Sequence, residues 1–422
     1  MFVGIDFGTT NSAVALTGPT GPAEMVSFST ASGLANTERS VLAFAPAQRP
    51  QVGHAAIAAY LDSDGDCRLL QSFKSYLTSR LFTATTLQGV RYSLEDLIAL
   101  IVSHLRTAAE AQGERVERVV AGRPVRFVAE GGEDEDSFAT DRLVEAFAKA
   151  GIHEVVFEYE PIAAAYHYES GLDSDQTVLV ADFGGGTSDF CLIRLGPGRA
   201  RLNRPADAIL GTAGVGLAGD SFDRRIVEHG LSPHFGRDLT YASGDKRLPM
   251  PSWIYTRLER WHHVAFLNAP KTLRLLHDLR RQLDDPEPID QLLALIEENL
   301  GYHLYRAVEG AKRALSEQEQ TLFRFDHGPV QLERLITRSD FERWIRPELE
   351  AIESCVEGLL AQTGIVPAQV DRVFLTGGSS LVPAVRGVFA RRFGEDKLSS
   401  GGEFISVASG LAHRAREVFA RG

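Results

Sequence analysis

Cysteine is scarce in this chain of 422 residues: Cys67, Cys191 and Cys355 are far apart and form no Cys-x-x-Cys pair, which argues against a disulfide framework and a cysteine zinc site. A reducing compartment fits, and a cytoplasmic location is expected. Long apolar runs are also missing. No stretch approaches the roughly 20 residues needed to cross a bilayer. Met1 leads at once into a predicted core strand with no basic and apolar leader, so a soluble intracellular protein with no membrane partner is expected. Basic charge is in deficit: 44 Lys and Arg stand against 56 Asp and Glu, a net charge of -12, which disfavours nucleic acid as the main partner. The phosphate-loop signature Gly-x-x-x-x-Gly-Lys-Ser/Thr does not occur, and no tract is of low complexity. At this length one hydrophobic core rarely suffices, so two or more domains are expected.

What is present is a repeat. Asp6-Phe7-Gly8-Thr9-Thr10-Asn11-Ser12 returns downstream as Asp182-Phe183-Gly184-Gly185-Gly186-Thr187-Ser188. Apolar runs flank both copies, Phe2 to Phe7 and Ala13 to Leu16 around the first, Val178 to Phe183 and Phe190 to Leu195 around the second. Each copy therefore reads as strand, tight turn, strand. A turn of Gly, Thr and Ser lets consecutive backbone N–H groups point into one concavity, where they can hold phosphate oxygens. Asp6 and Asp182, at the strand ends, supply hard oxygen for a divalent cation such as Mg2+. One such turn is common in hairpins of any kind; two copies with matching strands predict an ATP-binding cleft between two similar lobes.

Strands alternating with helices around Gly turns predict an α/β fold with ligands at the strand ends. An amphipathic helix is expected from Leu94 to Gln112 and a strand from Val116 to Ala121. The acidic run Gly131 to Asp136 reads as a solvated loop, with Ser137 capping a helix that stops at Gly151. Strand Glu154 to Tyr159 runs into a helix opened by Glu160 and Pro161. Between Gly230 and Leu300, prolines punctuate short helical pieces containing Trp253, Trp261, His262 and His263; adjacent histidines on a helix point to different faces, which argues against a shared metal. A helix from Leu300 to Leu315, a hairpin, a helix from a capping Ser339 to Thr363, strand Val370 to Thr376 and a helix from Ser406 follow. Gly214-Val215-Gly216-Leu217-Ala218-Gly219 matches the dinucleotide fingerprint, but with no acidic residue placed for a ribose it is weak support for a nicotinamide cofactor.

Together these motifs resemble the nucleotide-binding domain of the seventy-kilodalton heat-shock (DnaK-like) chaperones, within the actin-like ATPase superfamily. The resemblance rests on Gly4 to Ser12, on Asp182 to Asp189, on Glu160-Pro161-Ile162-Ala163-Ala164-Ala165, on Glu309-Gly310-Ala311-Lys312-Arg313-Ala314-Leu315-Ser316, on Ile336 to Glu342 and on Val373 to Pro383. It implies an actin-like ATPase fold of two lobes, each a mixed sheet flanked by helices. Lobe I would hold residues 1–172 and 400–422 with an insert at about 36–115; lobe II would hold 173–399 with a helical insert at about 220–328. It implies ATP and Mg2+ as cofactors, with Asp6 and Asp182 toward the metal. Gly8, Thr9, Thr10, Asn11, Gly184, Gly185, Gly186 and Thr187 would take the phosphates. Lys74 would neutralise charge on the transferred phosphoryl, and Glu160 and Asp189 would orient or deprotonate the attacking water, with Asp182 and Thr187 in the same catalytic set. Gly219, Glu309, Lys312, Arg313, Ser316, Gly377, Gly378 and Ser379 would serve the rest of the nucleotide.

The residues alone leave alternatives. Lys74 could be a solvated loop lysine, and Glu160 could favour the dipole of its own helix. Glu309, Lys312, Arg313 and Ser316, at i, i+3, i+4 and i+7, could be a charge-paired surface helix. The chain stops where the family's peptide-binding half is expected, which resembles the truncated YegD-type relatives. The function expected is a slow Mg-ATP hydrolase acting as a chaperone-like conformational switch, with an unidentified co-chaperone or client. A sugar-type kinase of the same superfold and a filament-forming actin-like protein are the rival readings.

Overall fold

The two Asp-Phe-Gly segments fold as the turns of two antiparallel hairpins, and each hairpin lies within the middle of a sheet. The computed structural model describes residues 1–63, 67–113, 115–127, 133–169, 172–198, 205–401 and 405–420. Two compact units emerge, Met1–Gly219 with Glu350–Gly422, and Asp220–Leu349.

In the first unit, strand Phe2–Asp6 pairs antiparallel with Asn11–Thr17, which pairs with Glu24–Met25; on its other side come Arg118–Arg123 and Glu154–Tyr159, both parallel. The second sheet repeats this plan. Strand Gln176–Phe183 pairs antiparallel with Ser188–Leu195 and that with Ile209–Val215, while Arg372–Thr376 and Leu398–Ser400 add in parallel on the other side. Helices Glu133–Lys149 and Pro383–Phe393 make the crossovers that the parallel neighbours require. The duplication legible in the motifs is thus a duplication of sheet topology.

Between the sheets lie helices Ser406–Phe419, on the first sheet, and Glu160–Glu169, on the second, packed against one another. Val120, Ile162, Tyr166, Val178, Val180, Ile193, Leu411 and Phe419 form one buried cluster across these layers. Small residues allow it. A Cβ at Gly410 would lie 1.7 Å from the carbonyl oxygen of Ala163, and one at Gly4 would lie 2.3 Å from the backbone nitrogen of Ala412. Helix Leu94–Glu110 begins at Ser93, whose hydroxyl accepts from the Asp96 N–H (3.1 Å) while Asp96 accepts from the Ser93 N–H (2.9 Å), a reciprocal cap. It buries Leu94, Leu97, Ile98, Ile101 and Leu105.

The second unit holds helices Ser252–Leu258, Pro270–Arg280, Glu287–Glu297 and Gly301–Glu317, and the hairpin Gln320–His327 with Val330–Thr337. The segment expected to be only helical also contains the hairpin Thr240–Ser243 with Lys246–Pro249, turned at Gly244 with φ +60°. The side chains of Trp261 and His262 lie outside the described residues.

Two caps depart from expectation. Helix Glu133–Lys149 starts within the acidic run, so Ser137 is interior; acidic residues in a first turn favour the helix dipole. Gly131 and Gly132 lie outside the described residues. Thr337, not Ser339, is the next cap, accepting from the Asp340 N–H at 3.1 Å. That helix ends at Trp344 and a new one runs Arg346–Thr363, because Pro347 lacks an N–H and its ring conflicts with the carbonyl one turn back.

Candidate functional site

The two turns are tightened by their own backbones and hydroxyls. In the first, Ser12 Oγ accepts from the Gly8 N–H at 3.3 Å and meets Ser40 Oγ at 2.8 Å, while a Cβ at Gly8 would fall 2.1 Å from the Asn11 carbonyl oxygen. Asn11 accepts from Arg39 through its side-chain oxygen at 3.2 Å. In the second, the Gly184 N–H donates to the Thr187 carbonyl at 2.9 Å. Thr9 and Thr187 are buried, Thr10, Gly185 and Gly186 are half-buried, and Gly184 is exposed.

Register explains the carboxylates. Asp182 sits directly opposite Asp189 across the second hairpin, whereas Asp6 faces Ala13 across the first. Asp189 Oδ1 accepts from the Val125 N–H at 2.7 Å. The Lys74 ammonium, buried on the short 3-10 turn Phe73–Tyr76, is ion-paired with Glu160, the first residue of its helix. Burial, and then repulsion from Glu160, pushes Asp6 and Asp189 up to about 7. The same two causes, with Asp6 and Asp189 adding, hold Asp182 well above the ordinary carboxyl range. Burial opposes the charge on Lys74, but Glu160 and then Asp6 more than offset it and raise its pKa. Four carboxyl groups therefore act on one ammonium, a negative excess in a buried place.

Glycines inside the strands shape this centre. A Cβ at Gly122 would approach Glu160 Cγ to 3.2 Å and Asp6 Oδ1 to 3.6 Å, and one at Gly214 would fall 2.7 Å from Asp189 Oδ1. The run Gly214 to Gly219 begins inside the antiparallel strand Ile209–Val215, so it is no dinucleotide turn. Its last glycine donates its N–H to the Gly184 carbonyl at 3.3 Å. Gly377 has φ +81°, and a Cβ there would lie 2.1 Å from the Phe183 carbonyl oxygen; only glycine fits. Gly378 begins a 3-10 turn that buries Ser379. A glycine inside a strand, as Gly122 is, signals a close approach.

Glu309, Lys312, Arg313 and Ser316 lie in the second unit, on helix Gly301–Glu317. Lys312 Nζ pairs with Asp223 at 2.8 Å, and the Tyr305 hydroxyl donates to the same oxygen at 3.0 Å. Burial pushes Asp223 up to about 6 against the pull of Lys312. Ser316 donates to the Lys312 carbonyl at 3.2 Å, and Arg313 is exposed.

A protein-family model described as Hsp70 protein matches residues 69–245 and 292–416. The chaperone protein DnaK of Thermosipho melanesiensis is 27% identical over 425 residues, covering 98% of this chain and 58% of the relative. That of Thermosipho africanus is 28% identical with the same coverage. The chain spans about 58% of the length of these curated relatives.

Proposed function

The chain belongs to the Hsp70 protein family, and from that premise we propose that it binds Mg-ATP and hydrolyses it slowly, as a cytoplasmic, chaperone-type conformational switch read by an unidentified co-chaperone or client. The observation that carries this reading is the meeting of Lys74, Glu160, Asp6, Asp182 and Asp189 at the ends of the twin hairpins. The domain reading of two similar lobes, one per repeated sheet, belongs to the same proposal.

The donor set fits magnesium: hard carboxylate oxygens in excess over the single ammonium. Among the described residues no group of three or more His, Cys, Asp or Glu side chains is arranged to ligate a metal directly. Asp6 and Asp182 would therefore hold the ion largely through its water shell, which this ion sheds reluctantly. When bound, it neutralises phosphate charge and polarises the phosphoryl group.

The protein's own part is positioning. Backbone N–H groups of Thr9, Thr10, Gly185, Gly186 and Thr187 hold phosphate oxygens, with Asn11 and the Thr9, Thr10 and Thr187 hydroxyls beside them; the N–H groups of Gly8 and Gly184, expected in the same role, close the turns instead. Lys74 offsets charge on the transferred group. Glu160, oriented by that lysine, and Asp189, oriented by the Val125 N–H, align the attacking water, and one of the two takes its proton. Gly219, Glu309, Lys312, Arg313, Ser316, Gly377, Gly378 and Ser379 serve adenosine and the sugar. Among the described residues no helix is long and apolar enough to cross a membrane.

Calorimetric titration of the purified chain with ATP and magnesium tests the reading. Binding should be retained by Glu160→Gln while turnover falls by about a hundredfold or more; absence of any nucleotide binding refutes it.

A further inference from the structure

Lys74 lies in a stretch with little regular structure. Strand Arg68–Gln71 ends just before it, the next strand is Ala84–Leu87, and only the 3-10 turn Phe73–Tyr76 lies between. Ser72, ahead of that turn, has φ +59°, a conformation a serine seldom holds unaided. The C-terminal side of the turn is gripped by one side chain. Arg142, buried on helix Glu133–Lys149, directs Nη1 to the carbonyls of Tyr76 (3.3 Å), Leu77 (3.4 Å) and Ser79 (3.2 Å), and Nη2 to that of Phe82 (3.1 Å). Its Nε pairs with Glu95 of helix Leu94–Glu110.

We propose that Arg142 is a positioning residue that, through these four carbonyls, holds the turn from which Lys74 reaches Glu160. The fork geometry of guanidinium serves several acceptors at once, which a lysine ammonium on a flexible stem does not. The clamp also joins the two partners of the ion pair. Helix Glu133–Lys149 leads into strand Glu154–Tyr159, and that strand runs directly into Glu160. One crossover unit therefore carries the carboxylate and, through Arg142, fixes the turn that carries the ammonium. Displacement of a catalytic group by about 1 Å can cost about a hundredfold in rate.

The catalytic part of this inference rests on the proposed ATPase reading; the positioning part does not. Two measurements separate them. In nucleotide-free protein, acetylation by acetic anhydride read by mass spectrometry should be about tenfold faster at Lys74 in Arg142→Lys than in the wild type, the equivalent of about 1.4 kcal/mol. Lys312, in the other unit, should be unchanged. The same exposure is expected in Arg142→Met combined with Glu95→Gln, which removes both charges together and guards against loss of folding from an unpaired carboxylate. In turnover assays Arg142→Lys should lower kcat about tenfold, with KM little changed, and should lower it no further in a Lys74→Met background. Unchanged Lys74 labelling, or kcat losses that multiply across the two sites, would overturn the proposal. A chain that turns over no ATP would sink the ATPase reading while the labelling still decides the role of Arg142.

Discussion

Replacing Gly410 by alanine sets two well-measured effects against each other. In an exposed helix interior, Gly→Ala stabilises by about 1 kcal/mol. Gly410, however, is where helix Ser406–Phe419 crosses helix Glu160–Glu169. The added Cβ would lie 1.7 Å from the Ala163 carbonyl oxygen and 2.5 Å from its carbonyl carbon, about half an ordinary contact distance. The obstacle is backbone, so no rotamer change relieves it, and the helices must part by about 1.5–2 Å to restore contact distances. Overpacking of this kind costs about 3 kcal/mol, leaving a net loss of about 2 kcal/mol after the propensity gain. Gly358→Ala is the matched control: it is helical, in the same unit, and its Cβ would meet nothing within 4 Å. Urea unfolding followed by circular dichroism should lower the midpoint for Gly410→Ala and leave it unchanged or raised for Gly358→Ala. A Gly410→Ala protein as stable as the wild type refutes the packing argument.

Other tests address the site and its supports. With Asp6 and Asp189 each pushed up to about 7, the folded metal-free chain keeps protons that the unfolded chain, with ordinary carboxyl values near 4, has lost. Unfolding free energy should therefore fall as pH rises from about 4 to 7. Thermal scans in EDTA at pH 5 and 8 should show this drop, and magnesium with nucleotide should reverse it at pH 8; equal stability at both pH values speaks against the clustered carboxyls. Gly122→Ala presses on Glu160 and Asp6 and should reduce turnover about tenfold, given what sub-ångström shifts cost; full activity would remove Gly122 from the site's support. Thr337→Ala should cost about 1 kcal/mol as a lost cap, with Ser339→Ala within about 0.5 kcal/mol of wild type; the reverse order in denaturant midpoints would restore Ser339 as the cap.

Where local chemistry decides, the sequence was readable. Both hairpins, the stop at Gly151 (φ +82°) and the placing of Glu160 between strand and helix follow from turn residues and periodicity within a few positions. Ser339 reads as the cap because it opens the apolar periodicity, whereas the hydroxyl that meets the Asp340 N–H belongs to Thr337, two residues earlier. The hairpin at Thr240–Pro249 was hidden because Pro249 and the prolines flanking it, Pro233 and Pro251, read as breaks between helices, although Gly244-Asp245 is turn chemistry. What no local pattern reveals is contact at a distance. Val125 lies 64 residues from the Asp189 it supports, and Arg142 lies 60 to 66 residues from the carbonyls it gathers.

The crossing of helix Ser406–Phe419 over strands Phe2–Asp6 and Asn11–Thr17 has a bearing on how the molecule is made. Ala13 and Ala15 are covered by Ala408 and Ala412, so one face of the first hairpin waits for a partner roughly 400 residues later, about 20–80 s at ordinary elongation rates. Asp220–Leu349 is a contiguous segment and can mature on the ribosome in the meantime. Until then Ala13 and Ala15 lack the cover that Ala408 and Ala412 give them in the folded chain, so misassociation through this face is expected during translation rather than after it.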